Sequence, residues 1–233
     1  MKVQRLRLAF SRGEAAGEMS LLELVRAWEQ VCREAGLPLA YSQGRRLSPQ
    51  ISTASPLPVG VTSSCELMDV YLTERVDPRT VLDRLSPHLP AGLAAGAAWE
   101  VGLGAPSLQS QVRWAEYEVV LPGGQSRVDV QVAIDRLLSS ATLPWRHERE
   151  SRVRVYDLRP RVLDIWIEGE ADGALTLGMR LRAGQESAGR AEQVAAALGF
   201  AEPPLRIHRR RLYVEATPPA VQAYRRLGEP YAD

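Results

Sequence analysis

From Val3 to Phe10 apolar and polar side chains alternate, with Leu6, Leu8 and Phe10 on one side and Arg5 and Arg7 on the other. A period of two predicts a half-buried strand. The period lengthens after Ser20. Leu21, Leu24, Val25, Trp28, Val31, Cys32 and Ala35 recur at helical spacing, with Glu23, Arg26, Glu29, Gln30 and Arg33 on the other face. Ser20-Leu-Leu-Glu23 is a capping box, in which the Ser20 hydroxyl accepts from the Glu23 amide while the Glu23 carboxylate reaches back. Gly36 stands where a helix end takes a left-handed residue. Trp28 lies mid-stripe and is expected to be buried. Residues 39–42 predict a short strand. Residues 67–73 predict another, with Met68, Val70 and Leu72 opposed to Asp69, Tyr71 and Thr73. Asp77-Pro78 offers a cap and an N1 proline to a helix carrying Val81, Leu82 and Leu85. Residues 94–103 then close a βαββαβ set, the ferredoxin-like plan.

The order recurs. Residues 114–121 predict a strand, 128–139 a helix, 144–168 a long strand or hairpin, 174–183 a strand, 190–198 a helix and 205–215 a strand. The expected class is therefore α+β, with two ferredoxin-like βαββαβ units in tandem at residues 1–104 and 105–215. A tail over 216–233 would hold one short helix around 220–226. The repeat rests on element order alone, and a single larger α+β sheet is the alternative.

Composition narrows the function classes. No apolar run approaches the ~18 residues of a membrane span, and the N-terminus runs directly into the first strand. A cytoplasmic protein without a membrane partner is the expectation. Cys32 and Cys65 form no CxxC pair, and His88, His147 and His208 are far apart. Neither a metal nor a cofactor is implied. Net charge is +1, without the excess that a strongly nucleic-acid-binding surface needs, yet every basic residue except Lys2 is arginine. No histidine has a recognisable acid–base partner in sequence and no GxxxxGK[ST] loop exists, so no residue is nominated as catalytic; a non-catalytic protein is the expectation and a stand-alone enzyme stays the open alternative.

A family resemblance emerges from several runs together. They are Gly36-Leu-Pro-Leu-Ala-Tyr-Ser-Gln-Gly44, Ile51-Ser52, Pro56-Leu-Pro-Val-Gly60-Val61 and Asp69-Val-Tyr-Leu72, then Ala105-Pro-Ser-Leu108, Ala115-Glu-Tyr-Glu-Val119 and Tyr156-Asp-Leu-Arg-Pro160. Over most of residues 1–215 the chain resembles the radical SAM-linked protein family, a domain found alone or fused behind cobalamin-binding radical SAM enzymes. The resemblance implies a non-catalytic adaptor, or a substrate-presenting partner, of a radical SAM enzyme. It departs from the family pattern at Glu18-Met-Ser-Leu-Leu-Glu-Leu24 and at Arg45-Arg46-Leu47-Ser48-Pro49, where the family's histidines are missing.

Two groups of residues are candidates for binding. The loop over residues 43–58 is long for a compact connection, and long loops concentrate function. With the residues before it, this loop offers Tyr41, Ser42, Gln43, Arg45, Arg46, Ser48 and Ser52, whose hydroxyls and guanidinium forks suit phosphate or carboxylate. A solvated connector routed by prolines is the alternative. The second group is Arg152, Arg154, Arg206, Arg209, Arg210 and Arg211. With aromatics nearby it suits an RNA-binding module acting in tRNA or rRNA modification or processing. Glu148, Glu150 and Asp157 could neutralise part of it, and charged residues can also guard sheet edges. The strand over 174–183 shows no aromatic on its polar side, which argues against base stacking there.

Overall fold

The computed structural model describes residues 1–43, 47–149, 152–184 and 188–215. They form a mixed α+β structure with a mostly antiparallel sheet and six α-helices among the described residues. The described chain divides into two compact units, Met1–Val112 with Val214 and Glu215, and Arg113–Tyr213.

The first unit runs β1 (Gln4–Arg12), α1 (Glu14–Gly17), α2 (Leu21–Glu34), β2 (Ile51–Thr53), β3 (Val61–Leu72), α3 (Pro78–Leu85), β4 (Leu93–Val101) and α4 (Leu108–Gln111). Its strands lie in the order β4-β1-β3-β2, each antiparallel to its neighbour. The capping box at Ser20 and Glu23 is formed, and Asp77 caps α3 ahead of Pro78. Leu6, Leu8 and Phe10 of β1 share one core with Leu24, Trp28, Val31 and Cys32 of α2, and with Met68, Val70, Leu72, Val81 and Leu85. Trp28 is fully buried and meets the Phe10 ring edge-on, with centroids 5.2 Å apart. Burying such a ring contributes on the order of 2–3 kcal/mol.

The second strand of this unit departs from the sequence expectation. Residues 39–42 make only isolated bridges, Leu39 with Leu72 and Tyr41 with Pro49. The reason lies in how the end of β3 is shared. Thr73 donates to the Pro38 carbonyl and Ala40 to the Tyr71 carbonyl, but the Tyr71 amide turns to the Gln50 carbonyl. From Val70 back to Met68, Ile51–Thr53 is the paired strand. Much of the stretch expected to be loop is therefore tied to the sheet. β3 also starts at Val61 rather than 67, because its polar beginning pairs with the far end of β1, Ser63 with Arg12 and Glu66 with Phe10.

The second unit runs β5 (Val112–Pro122), α5 (Arg127–Ser139), β6 (Pro144–Arg149), β7 (Arg152–Asp157), β8 (Val162–Ala171), β9 (Ala174–Arg182), α6 (Ala191–Ala197) and β10 (Arg206–Val214). Its main strands lie in the order β10-β5-β9-β8, while β6 and β7 form a separate two-stranded hairpin. Register sets Ala115, Tyr117, Val119 and Leu121 opposite Leu181, Met179, Leu177 and Leu175. All eight are buried, as are Val130, Ile134 and Leu137 of α5 and Val194 of α6. The helix expected around 220–226 lies outside the described residues.

Candidate nucleic-acid interface

The loop candidates of the first unit divide into two sets. The Tyr41 hydroxyl donates to Glu29 of α2 at 2.9 Å, and burial first, then this carboxylate, push its pKa up. Ser42 and Ser48 staple the turn: the Ser42 amide donates to the Ser48 carbonyl at 2.8 Å, and the Ser48 amide to Ser42 Oγ at 3.0 Å. Gln43 is exposed. Arg45 and Arg46 lie outside the described residues. Ser52 is not a loop group at all; it sits in β2, and its Oγ accepts from Gln109 Nε2, which also donates to the Thr53 carbonyl at 2.6 Å.

The polar face of the first sheet holds a feature that alternation alone hides. Arg5 and Arg7 were expected to face solvent. Both are buried, with Asp69 between them. Arg5 donates to Asp69 Oδ2 from Nη2 at 2.6 Å and from Nε at 3.0 Å, and Arg7 Nε donates to Oδ1 at 2.7 Å. Arg5 also donates to the carbonyls of Ala105 and Pro106 at 2.9 Å each. Strand register places Arg7 opposite Asp69 on one side and Trp99 on the other.

Among the described residues, the corresponding face of the second unit is open to solvent at its arginines. Glu116 and Glu118 of β5 lie opposite Arg180 and Gly178 of β9, and Trp166 of β8 lies opposite Gly178. The absence of a side chain at Gly178 is what admits the indole: a Cβ there would come within 2.0 Å of the Trp166 ring. Trp114 stacks on Tyr213 with ring planes 2° apart and centroids 5.0 Å apart. The Arg180 guanidinium lies 5.0 Å from the Trp114 ring and 5.9 Å from the Trp166 ring. Arg180 pairs with Glu116 at 3.3 Å, Arg206 and Arg210 both pair with Glu118, and Arg210 reaches Glu168 at 2.6 Å. Burial raises the Glu168 pKa, and burial lowers that of Arg210. The strand over 174–182 carries no aromatic on this face, as its sequence says, but its neighbours β5 and β8 supply Trp114 and Trp166, and β10 beyond β5 supplies Tyr213.

This geometry splits the second group of candidates. Arg206 and Arg210 belong to the open face. Arg209 does not: it is buried, its Nε donates to the Tyr117 hydroxyl at 3.2 Å, and its guanidinium lies 5.4 Å from that ring. Burial keeps it away from any ligand. Arg211 is exposed on β10, and Arg152 and Arg154 lie on β7 of the hairpin. Among the described residues no three His, Cys, Asp or Glu side chains gather to hold a metal, and no helix is long and apolar enough to cross a membrane.

A family match spans residues 5–191. The chain belongs to DUF2344, an uncharacterized protein family conserved in bacteria. Nothing in that match connects it to radical SAM enzymes. No curated protein matches the chain. Among solved structures it is similar to a Cbf5-Nop10-Gar1 complex, at 11% identity and a TM-score of 0.47, covering 88% of this chain and 48% of the other. It is also similar to an archaeal box H/ACA sRNP Nop10-Cbf5 complex, at 11% identity and a TM-score of 0.45, covering 90% and 49%. The chain spans about half the length of the solved chains it matches. Likeness at this level says nothing about activity.

Proposed function

We propose that the protein binds single-stranded RNA on the polar sheet face of its second unit. One observation carries the reading: Trp114, Tyr213, Trp166 and Arg180 form a continuous set of flat groups on an open sheet. Aromatic rings and guanidinium planes on a sheet surface are what unstacked bases pack against. The charge arrangement supports the same reading. Glu116 and Glu118 are only 13% and 14% exposed, whereas Arg180, Arg206 and Arg210 are 40%, 49% and 37% exposed. The carboxylates hold the guanidinium groups from beneath, and the outermost charge is positive. Prepositioned forks of this kind suit phosphate.

Fluorescence anisotropy with a labelled oligouridine at low salt tests this directly. Trp166→Ala should weaken binding by about 1–3 kcal/mol, the typical cost of losing one stacked base. Absence of binding by the wild-type protein, or equal affinity in the variant, would falsify the reading. Fragments of tRNA and rRNA are the natural second probes, since RNA modification or processing is the role such a module would serve. The matching strand orders of the two units support a tandem ferredoxin-like plan, with the break near residues 104–105 as part of the proposal. The adaptor role beside a radical SAM enzyme is a separate proposal that rests on the sequence resemblance alone. Recovery of no such enzyme in a pull-down from native extract would count against it.

A further inference from the structure

We propose that the open face selects guanine and that Arg180 is the residue that reads it; this names the base for the RNA reading above and rests on it. The surroundings of Arg180 set it apart. Register places it between Glu116 of β5 and Asp164 of β8, two residues along β9 from Gly178. The indoles of Trp114 and Trp166 flank its guanidinium at 5.0 and 5.9 Å. Among the described residues Arg180 makes one hydrogen bond, from Nη2 to Glu116 Oε2 at 3.3 Å. Its Nε is buried without a partner. Asp164 Oδ1 accepts from the Ile165 amide at 3.0 Å rather than from the guanidinium. The side chain is 40% exposed, so what it offers to a ligand is its Nη1–Nη2 end.

That end is a fork of donors with no acceptor. Its best partner is a pair of adjacent acceptors in one plane. Among the four RNA bases guanine presents such a pair, O6 beside N7. Adenine sets an amino donor beside its N7, cytosine presents an amino donor on the same edge, and uracil offers O4 with no acceptor next to it. A phosphate also carries adjacent acceptors. Beside Arg180, however, stand two carboxylates, which repel a phosphate and leave a neutral base undisturbed. The two indoles add stacking surface for a heterocycle held at the fork.

The test uses the full chain and labelled oligouridines whose central position is guanosine, adenosine, cytidine or uridine. The guanosine oligomer should bind about 5–150-fold more tightly than the other three, the discrimination of one good bidentate pair. An oligomer with 7-deazaguanosine, which lacks the N7 acceptor, should lose most of that margin on the wild-type protein. Arg180→Lys keeps the charge and loses the fork. It should bring the guanosine oligomer level with the others, while the slope of log K against log salt and the melting midpoint stay at the wild-type values. Equal binding of the four oligomers by the wild-type protein overturns the proposal. So does a guanosine preference that survives in Arg180→Lys, and so does 7-deazaguanosine binding as tightly as guanosine. If the four bind alike and Trp166→Ala weakens each of them, the RNA reading stands and the guanine reading falls. If no oligomer binds, but guanosine monophosphate quenches tryptophan emission where adenosine monophosphate does not, and Arg180→Lys abolishes the quenching, the guanine site stands and the RNA reading falls.

Discussion

The two units set their strands in the same order and fill the polar face of the sheet in different ways. In the first, Arg5 and Asp69 are each 1% exposed, and the chain at Ala105 and Pro106 lies against them. In the second, the arginines of the open face keep a third to a half of their surface in water. Environment decides what each ion pair does. Removing one partner of a buried pair strands a charge in a medium of low dielectric. A half-exposed pair is screened and can exchange its partner for a ligand or for water. The first face is built to stay as it is, and the second to be re-partnered.

The largest expected effect comes from Asp69→Asn, which leaves two buried guanidinium groups without a carboxylate. It should cost about 3–5 kcal/mol in denaturant unfolding. A loss below about 1 kcal/mol would erase the contrast between the units. Next is Gly178→Val, which drives a side chain into the space of the Trp166 indole. It should destabilise by about 1–3 kcal/mol and shift tryptophan emission towards that of a solvated ring. Unchanged emission would show that the ring does not lie over this glycine. Alkaline pH separates the units more gently, because both cysteines are in the first. Burial pushes the Cys32 thiol up to about 12 from its usual 9.0. The thiol therefore ionises earlier in the unfolded chain than in the folded one. Stability should be intact below the unfolded value and fall as pH rises from there towards 12, by about 1.4 kcal/mol per pH unit. Urea midpoints across this range test it, and Cys32→Ala should remove that share of the loss. The smallest effect belongs to Glu116→Gln, which should change stability by no more than about 1 kcal/mol. A larger loss would mean that the open face is structural rather than available.

The elements that the sequence revealed are those whose signals are local. Ser20, Glu23 and the stripe from Leu24 to Cys32 specify α2 without help from the rest of the chain. Asp77-Pro78 does the same for α3. What escaped depends on pairing across long separations. Nothing near Ile51 announces that it, rather than residues 39–42, completes the ladder on β3. Arg5 and Arg7 read as solvent-facing because alternation reports only that two faces differ, not whether the second is covered. The aromatic set of the second unit comes from three strands, so inspection of one strand could not show it. One local signal was available: a glycine inside an otherwise well-formed strand often marks the close approach of another group, and Gly178 admits Trp166.

The Arg5 hydrogen bonds also bear on where the first unit can be cut. A fragment ending at Gly104 would keep both guanidinium groups and Asp69 but lose the carbonyls of Ala105 and Pro106, and with them the Gln109 amide that ties Ser52 and Thr53. A cut after Val112 keeps all of these. The limit of this stretch of the first unit is therefore set by a side chain near the N-terminus, 100 residues away in sequence from the Ala105 carbonyl that it holds.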